Sequence, residues 1–261
     1  MIQKIIQAAR NAQIAARYAS YKFAVKTVFH SKIGEEILTE PFKKGDNIVV
    51  ITPHPDDDVL GCAGTLALAA KAGANIQVIY ITNGIHGTTD GAADKRLISI
   101  RKKEARTALK CLGKIKTIFL GFDDGNYKAN RQATIKIAEI IKSLKNLTIF
   151  TPWIFDHHSD HAETTKTLAR ALKISEVDDA QIWQYETWTP LIPNRIVPIK
   201  KRARVKLLAI KEHKSQLKCR RYDKAIAGLN EYRGGIAQLD GPAEAFFALD
   251  SKDFLRFCRD R

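Results

Sequence analysis

The sequence predicts an α/β fold, a mainly parallel sheet with helices on both faces, and three observations predict it. From about residue 47, short β-branched runs alternate with longer stretches of helical periodicity. Their spacing is that of strand-helix-strand units. The segments that follow the strands are crowded with His, Asp and Gly, as expected where a parallel sheet turns its carboxyl edge toward a ligand.

Taken in order, Asn47–Thr52, Ile76–Thr82, Thr117–Leu120, Thr148–Thr151 and Gln181–Tyr185 read as buried strands. Residues 60–73, 94–112, 131–145 and 161–173 carry helical periodicity, with Gly73 and Gly113 at C-cap positions. This order describes a Rossmann-like three-layer sandwich. Residues 187–261 read as an α+β completion of the same domain. Ahead of it, Ile2, Ile5, Ala9, Ala12, Ala16, Ala19 and Phe23 fall on one stripe of a helix. The expected organisation is therefore a basic helical extension, residues 1–46, followed by one domain, residues 47–261.

The chain has 261 residues and a formal net charge of +15. With 45% hydrophobic residues it is long and apolar enough for a sizeable core, which excludes disorder. Residues 1–32 hold six Lys/Arg and no acid, and residues 192–224 hold twelve Lys/Arg against Glu212 and Asp223. The first segment suits a helix packed on the body or on a sister subunit in a homo-oligomer, or one resting on an anionic membrane surface. The second lacks the interleaved aromatics of a nucleic-acid surface, so no nucleic-acid partner is expected. It reads as a solvated face or one that attracts an anionic substrate. Lys4, Arg10, Arg17, Lys22 and Lys26 interrupt the N-terminus, so neither a signal peptide nor a membrane span is expected. Cys62, Cys111, Cys219 and Cys258 form no CxxC pair, which argues against a zinc ribbon or disulfide scaffold. A reducing, cytoplasmic setting, with at most peripheral membrane contact, is the expectation.

Chemistry gathers after the first and fourth of the five predicted strands. His54 is followed by Asp56, Asp57 and Asp58, and the later loop supplies His157, His158 and His161. Adjacent carboxylates repel unless a cation or hydrogen-bond donors offset them, so a bound divalent metal is the economical account. Mixed nitrogen and oxygen donors suit zinc, and a catalytic zinc takes three protein ligands and keeps a position open. His54 and Asp57 would give two ligands, with the third from the loop after the fourth predicted strand, where His161 opens the next helix. Asp160 and Glu163 have capping-box spacing for the helix that starts there. A dinucleotide is disfavoured, because the first loop has no glycine before Gly61 and its acids would repel a pyrophosphate.

The string PHPDDDVLGCAGTL at residues 53–66 resembles the signature of the PIG-L/LmbE-like zinc N-deacetylases. So do ITNGIHG (81–87), RKKEARTALKCLG (101–113), LGFDDG (120–125), HSDH (158–161), YE (185–186), HKSQ (213–216) and AEAF (243–246), in order over about residues 47–247. The resemblance implies a hydrolase that removes an N-acetyl group from an N-acetylglucosamine-type sugar or glycoconjugate. It implies His54, Asp57 and His161 as ligands of Zn2+, with Fe2+ an alternative in the cell. It implies Asp56 as general base and a protonated His158 beside the oxyanion, oriented by Asp160. Arg101 and Asp124 align with positions that hold sugar hydroxyls. Asp58 stands where glutamate is more common, and adjacent His157 and His158 leave open which imidazole faces the metal.

The basic excess adds the expectation of a phosphate-linked or lipid-linked glycan as substrate. Rival readings are an amidase acting on a non-sugar or thiol-conjugate amide, and a non-catalytic protein that uses its basic segments to bind nucleic acid or a membrane. Trp153, Trp183 and Trp188 could each face a sugar ring or pack in the core or rim. His86 and His213 receive no role.

Overall fold

The structure, a computed structural model, describes residues 36–258. The helix expected over residues 1–32 lies outside them. Among the described residues eight strands form one sheet: β1 (Glu36–Ile37), β2 (Asn47–Thr52), β3 (Asn75–Thr82), β4 (Ile115–Phe122), β5 (Leu147–Pro152), β6 (Gln181–Tyr185), β7 (Arg195–Pro198) and β8 (Ala243–Asp250). Their spatial order is β1-β7-β8-β6-β5-β2-β3-β4. All pairings are parallel except those of β8, which runs antiparallel to both β6 and β7.

The described helices are α1 (Asp57–Ala72), α2 (Lys95–Leu112), α3 (Arg131–Ile141), α4 (Ser159–Ser175), α5 (Ala203–Glu212), α6 (Lys214–Leu217), α7 (Tyr222–Ile236) and α8 (Ser251–Phe257). Strand alternation sends Ile48 and Val50 to one face of the sheet, under α1, α2 and α5, while Val49 and Ile51 meet α3, α4 and α8 on the other. Each fully buried side chain of this size contributes about 1.5–3 kcal/mol. Helix starts follow local chemistry: Asp94 accepts from Arg96 N–H to open α2, and Asn130 accepts from Ala133 N–H to open α3. Gly73 ends α1 in the left-handed region at φ 86°.

The five predicted strands are all present, some extended by one or two residues at an end, β4 by two at each end. Helix α3 stops at Ile141 where periodicity alone suggests 145, because the chain turns there and reaches φ 47° at Asn146. β1 and buried Phe42 lie in the segment assigned to the extension, yet β1 pairs with β7 and Phe42 joins the core. The segment from residue 187 supplies β7 and β8 to the same sheet.

The chain passes from β2 to β3 on one side, while β5 lies on the other side of β2. This reversal opens a crevice at the carboxyl ends of β2 and β5, the place where open α/β sheets bind ligands.

Candidate metal centre and active-site cavity

The loop after β2 folds back on itself. Asp56 N–H donates to the carbonyl of His54 at 2.9 Å, and Asp57 Oδ2 accepts from His54 N–H at 3.2 Å. Asp57 and Asp58 occupy the first turn of α1, where the free N–H groups of a helix favour negative charge. Gly61 lets this helix sit against Tyr185: a Cβ there would lie 2.2 Å from the ring.

Helix α4 delivers the second half of the site. His158 caps it, Nδ1 accepting from Asp160 N–H at 3.3 Å, so the neutral ring carries its proton on Nε2. Asp160 and Glu163 do not form the expected capping box. Asp160 accepts from Gly125 and Tyr127 N–H, and Glu163 accepts from Ala129 N–H. Both tie the loop after β4 to the start of α4, because that loop presents unpaired amides there.

His54 Nδ1, Asp57 and His161 Nε2 converge. Nδ1 lies 2.9 Å and Nε2 3.3 Å from Asp57 Oδ2, and one ligand atom from each residue lies within 4.8 Å of the others. Ligand bonds of about 2.0–2.1 Å in a tetrahedron separate donors by roughly 3.3 Å. His161 Nε2 is buried and has no hydrogen-bond partner. Its other nitrogen, Nδ1, faces Asp156 Oδ2 at 3.4 Å and Thr187 Oγ1 at 3.1 Å. His54 Nε2 likewise faces Asp124 Oδ1 at 2.9 Å and Asp160 Oδ2 at 3.3 Å. Each imidazole thus has one nitrogen toward the common centre and one against a carboxylate, the arrangement that orients metal-binding histidines. These residues fit a divalent cation.

The electrostatics agree. Burial pulls both imidazoles down, yet the carboxylates around them prevail: His54 is raised well above its ordinary value and His161 to about 9. Burial pushes Asp57 up, but His161 and His54 hold it well below the carboxylate range. Without a cation, protons on the two rings neutralise the acids. Burial pushes Asp56 up against the pull of Arg101, whose Nη2 donates to Asp56 Oδ1 at 2.9 Å. Burial, with His54 and His161 alongside, lowers His158 to about 4. The resemblance implies a protonated ring there; in the metal-free cluster the charged imidazoles beside it disfavour that proton.

A cavity of about 500 Å³ opens over this cluster. His54, Asp56, Asp57, Arg101, Asp124 and His158 all line it, whereas Asp160 and His161 lie fully buried behind. Asp160 sets His158 through its backbone amide, and its carboxylate serves His54. Asp124 also accepts from His86 N–H at 2.9 Å. Gly84, at φ 69°, accepts from Arg101 Nη1, and a Cβ there would stand 2.9 Å from that nitrogen. Exposed His157 bonds to Thr189, so His158 is the imidazole that faces the centre, its ring 4.9 Å from those of both His54 and His161.

Among the tryptophans, Trp153 and Trp183 are core and Trp188 lines the cavity. Asp58 is buried, accepts from Tyr80 Oη at 2.8 Å and is pushed by burial to about 7. His213 is buried with both ring nitrogens unpartnered. Sequence reasoning missed Asp156, Thr187, Gln216, Tyr222 and Arg220. Asp156 left a signal, standing beside the HHSDH string, and Gln216 ends the HKSQ string without a role having been read from it.

Residues 49–172 match the family described as PIG-L, GlcNAc-PI de-N-acetylase. The chain is 33% identical over 196 residues to the uncharacterised deacetylase YaiS of Escherichia coli K12, covering 70% of this chain and 99% of that one. The chain belongs to the PIG-L/LmbE-like deacetylase family. It is also 26% identical over 195 residues to diacetylchitobiose deacetylase of Thermococcus kodakarensis, covering 69% of this chain and 73% of the relative. The fold is that of N,N'-diacetylchitobiose deacetylase from Pyrococcus horikoshii, with TM-score 0.71 and 23% identity over 90% of this chain and 93% of that one. No helix among the described residues is long and apolar enough to cross a membrane.

Proposed function

We propose that this family member is a zinc-dependent hydrolase that removes the acetyl group from the nitrogen of an N-acetylglucosamine-type sugar or glycoconjugate. The observation that carries the reading is the orphaned, buried Nε2 of His161 facing Asp57 and His54, which line the cavity in front of it. His54, Asp57 and His161 would hold the ion, and their mixed nitrogen and oxygen donors suit Zn2+, with Fe2+ the alternative. Such a cation supplies Lewis acidity, lowering the pKa of water to about 7 and polarising the acyl carbonyl.

The remaining chemistry falls to the chain itself. Asp56, held by Arg101 and raised by burial, takes the proton of the attacking water as general base. His158, its Nε2–H free of the Asp160 amide, donates to the carbonyl oxygen as that oxygen gains negative charge. When the C–N bond breaks, Asp56 returns the proton to the departing nitrogen, giving acetate and a free amine. Arg101 and Asp124 line the cavity with Arg101 held through Nη1 and Nη2 and Asp124 through both oxygens, so either meets a sugar hydroxyl with its orientation already set.

Elemental analysis of the purified protein, paired with an acetate-release screen, tests this. Bound zinc near one per chain and acetate from N-acetylated sugars support it. Release only from non-sugar or thiol-conjugate amides would move the assignment to the amidase reading. Release from no amide, with no bound metal, would remove it.

A further inference from the structure

Beside the first cavity lies a second, of about 430 Å³, and the two share Trp188, Arg220 and Tyr222 as their common wall. The second is otherwise lined mainly by apolar Leu60, Ala225 and Ile226 together with Thr187, and its remaining charge, Arg221, is paired with Asp223 at 3.3 Å. Other basic side chains of the same segment are also committed: Lys200 to Asp240, Lys206 to Glu244, Lys214 to Glu212. Arg220 is exposed and forms no ion pair among the described residues. Its guanidinium lies over the Trp188 ring at 4.7 Å, a contact that restricts the side chain without neutralising it. That contact also covers one face of Trp188, which counts against a sugar stacking there.

The acids of the first cavity are all engaged. Asp56 faces Arg101, Asp57 faces two imidazoles, and Asp124 faces His54. Asp90, which also lines this cavity, turns back to accept from Ala92 N–H. The uncommitted charge at the junction is therefore positive and sits beyond the reacting centre. A planar guanidinium with several donors recognises phosphoryl and carboxylate oxygens in pairs.

We propose that Arg220 is a specificity-determining residue that binds an anionic group carried by the acetylated sugar, with the apolar second cavity holding the stem beyond it. This rests on the sugar deacetylase reading. It gives the charge excess of residues 192–224 one defined contact in place of a diffuse field.

The test compares acetate release from N-acetylglucosamine and N-acetylglucosamine 1-phosphate by the metal-loaded full-length protein at low salt. Wild type favours the phosphorylated sugar, and Arg220→Gln lowers the phosphorylated-to-neutral ratio of kcat/KM about tenfold, the loss of one charge-assisted contact, through KM. Arg220→Lys restores part of the ratio, since the charge returns without the fork. N-acetylmuramic acid, with a carboxylate, separates carboxylate from phosphoryl recognition by the same dependence on Arg220. Equal handling of neutral and anionic sugars by wild type, or a preference that survives Arg220→Gln, overturns the proposal. If no sugar releases acetate, the deacetylase reading fails by itself. Calorimetric binding of glucosamine 1-phosphate then decides the subsite: tighter binding by wild type than by Arg220→Gln sustains it, and equal binding overturns it.

Discussion

Asp156 Oδ2 stands 3.4 Å from His161 Nδ1 and also accepts from the backbone N–H of Trp188 at 3.1 Å, so one carboxylate aims the imidazole and anchors the loop after β6. Removing its charge should loosen the ring without deleting a ligand. Asp156→Asn is expected to weaken divalent-metal affinity by about 10–100-fold. Competition against a fluorescent chelator measures this, and unchanged affinity would rule out a supporting role.

Asp57→Ala deletes a direct donor and should weaken binding by more than about 100-fold. Elemental analysis after dialysis reads the outcome. Zinc retained at the wild-type ratio would mean the ligand set is wrong.

Asp56→Asn preserves size and removes the base. Metal content should stay at the wild-type level while kcat falls by roughly 10²–10⁴. Wild-type turnover in this variant would assign proton transfer elsewhere.

The metal-free protein should become less stable as the solution turns alkaline. His161 has its pKa raised to about 9 from an ordinary 6.5. Its contribution is complete below pH about 6.5 and disappears as pH rises through about 9. His54, also raised, acts in the same sense. His158 and His213, lowered to about 4 and about 3, have finished titrating by then. Thermal unfolding in chelator should therefore show Tm falling between about pH 7 and 9.5, and a flat or rising Tm would contradict it. Metal competes with the same protons, so its apparent affinity should rise with pH over this interval.

Lys206 and Glu244 form a buried pair at 2.7 Å, and Glu244 also accepts from Gly64 and Thr65 N–H in α1. Lys206→Met strands the carboxylate and should cost about 3–5 kcal/mol by urea denaturation. A loss below about 1 kcal/mol, the range of exposed pairs, would show that Glu244 is satisfied by the amides alone.

Much of this was legible in the chain because the information is local. Asn47–Thr52 is a strand by its own composition, and His54 and Asp57 lie within one turn of each other, so their convergence needs no knowledge of distant residues. His161 could be paired with them because strand order puts both loops on one edge of the sheet. β1, with two residues, and β7, with four, are too short to carry a period. β8 is buried almost end to end, so it shows no alternation to read, and Glu244 interrupts its apolar run. Tyr222 and Arg220 reach the cavity only because α7 packs back across the domain, and nothing near them in sequence signals it. The sequence reading also gave Asp160 and Glu163 to their own helix, since a spacing rule cannot see the unpaired amides of another loop nearby.

The antiparallel strand at residues 243–250 occupies the interior of the sheet, with β7 hung on its far side and β1 on β7. The earliest described strand thus docks through one of the last. During synthesis, β2 to β6 can pair as they emerge, but the other edge of the layer must wait until residues 243–250 have been made. Ribosome-bound fragments ending before residue 243 should leave the β6 edge open to strand addition by other chains, which makes residues 243–250 a gatekeeper against aggregation.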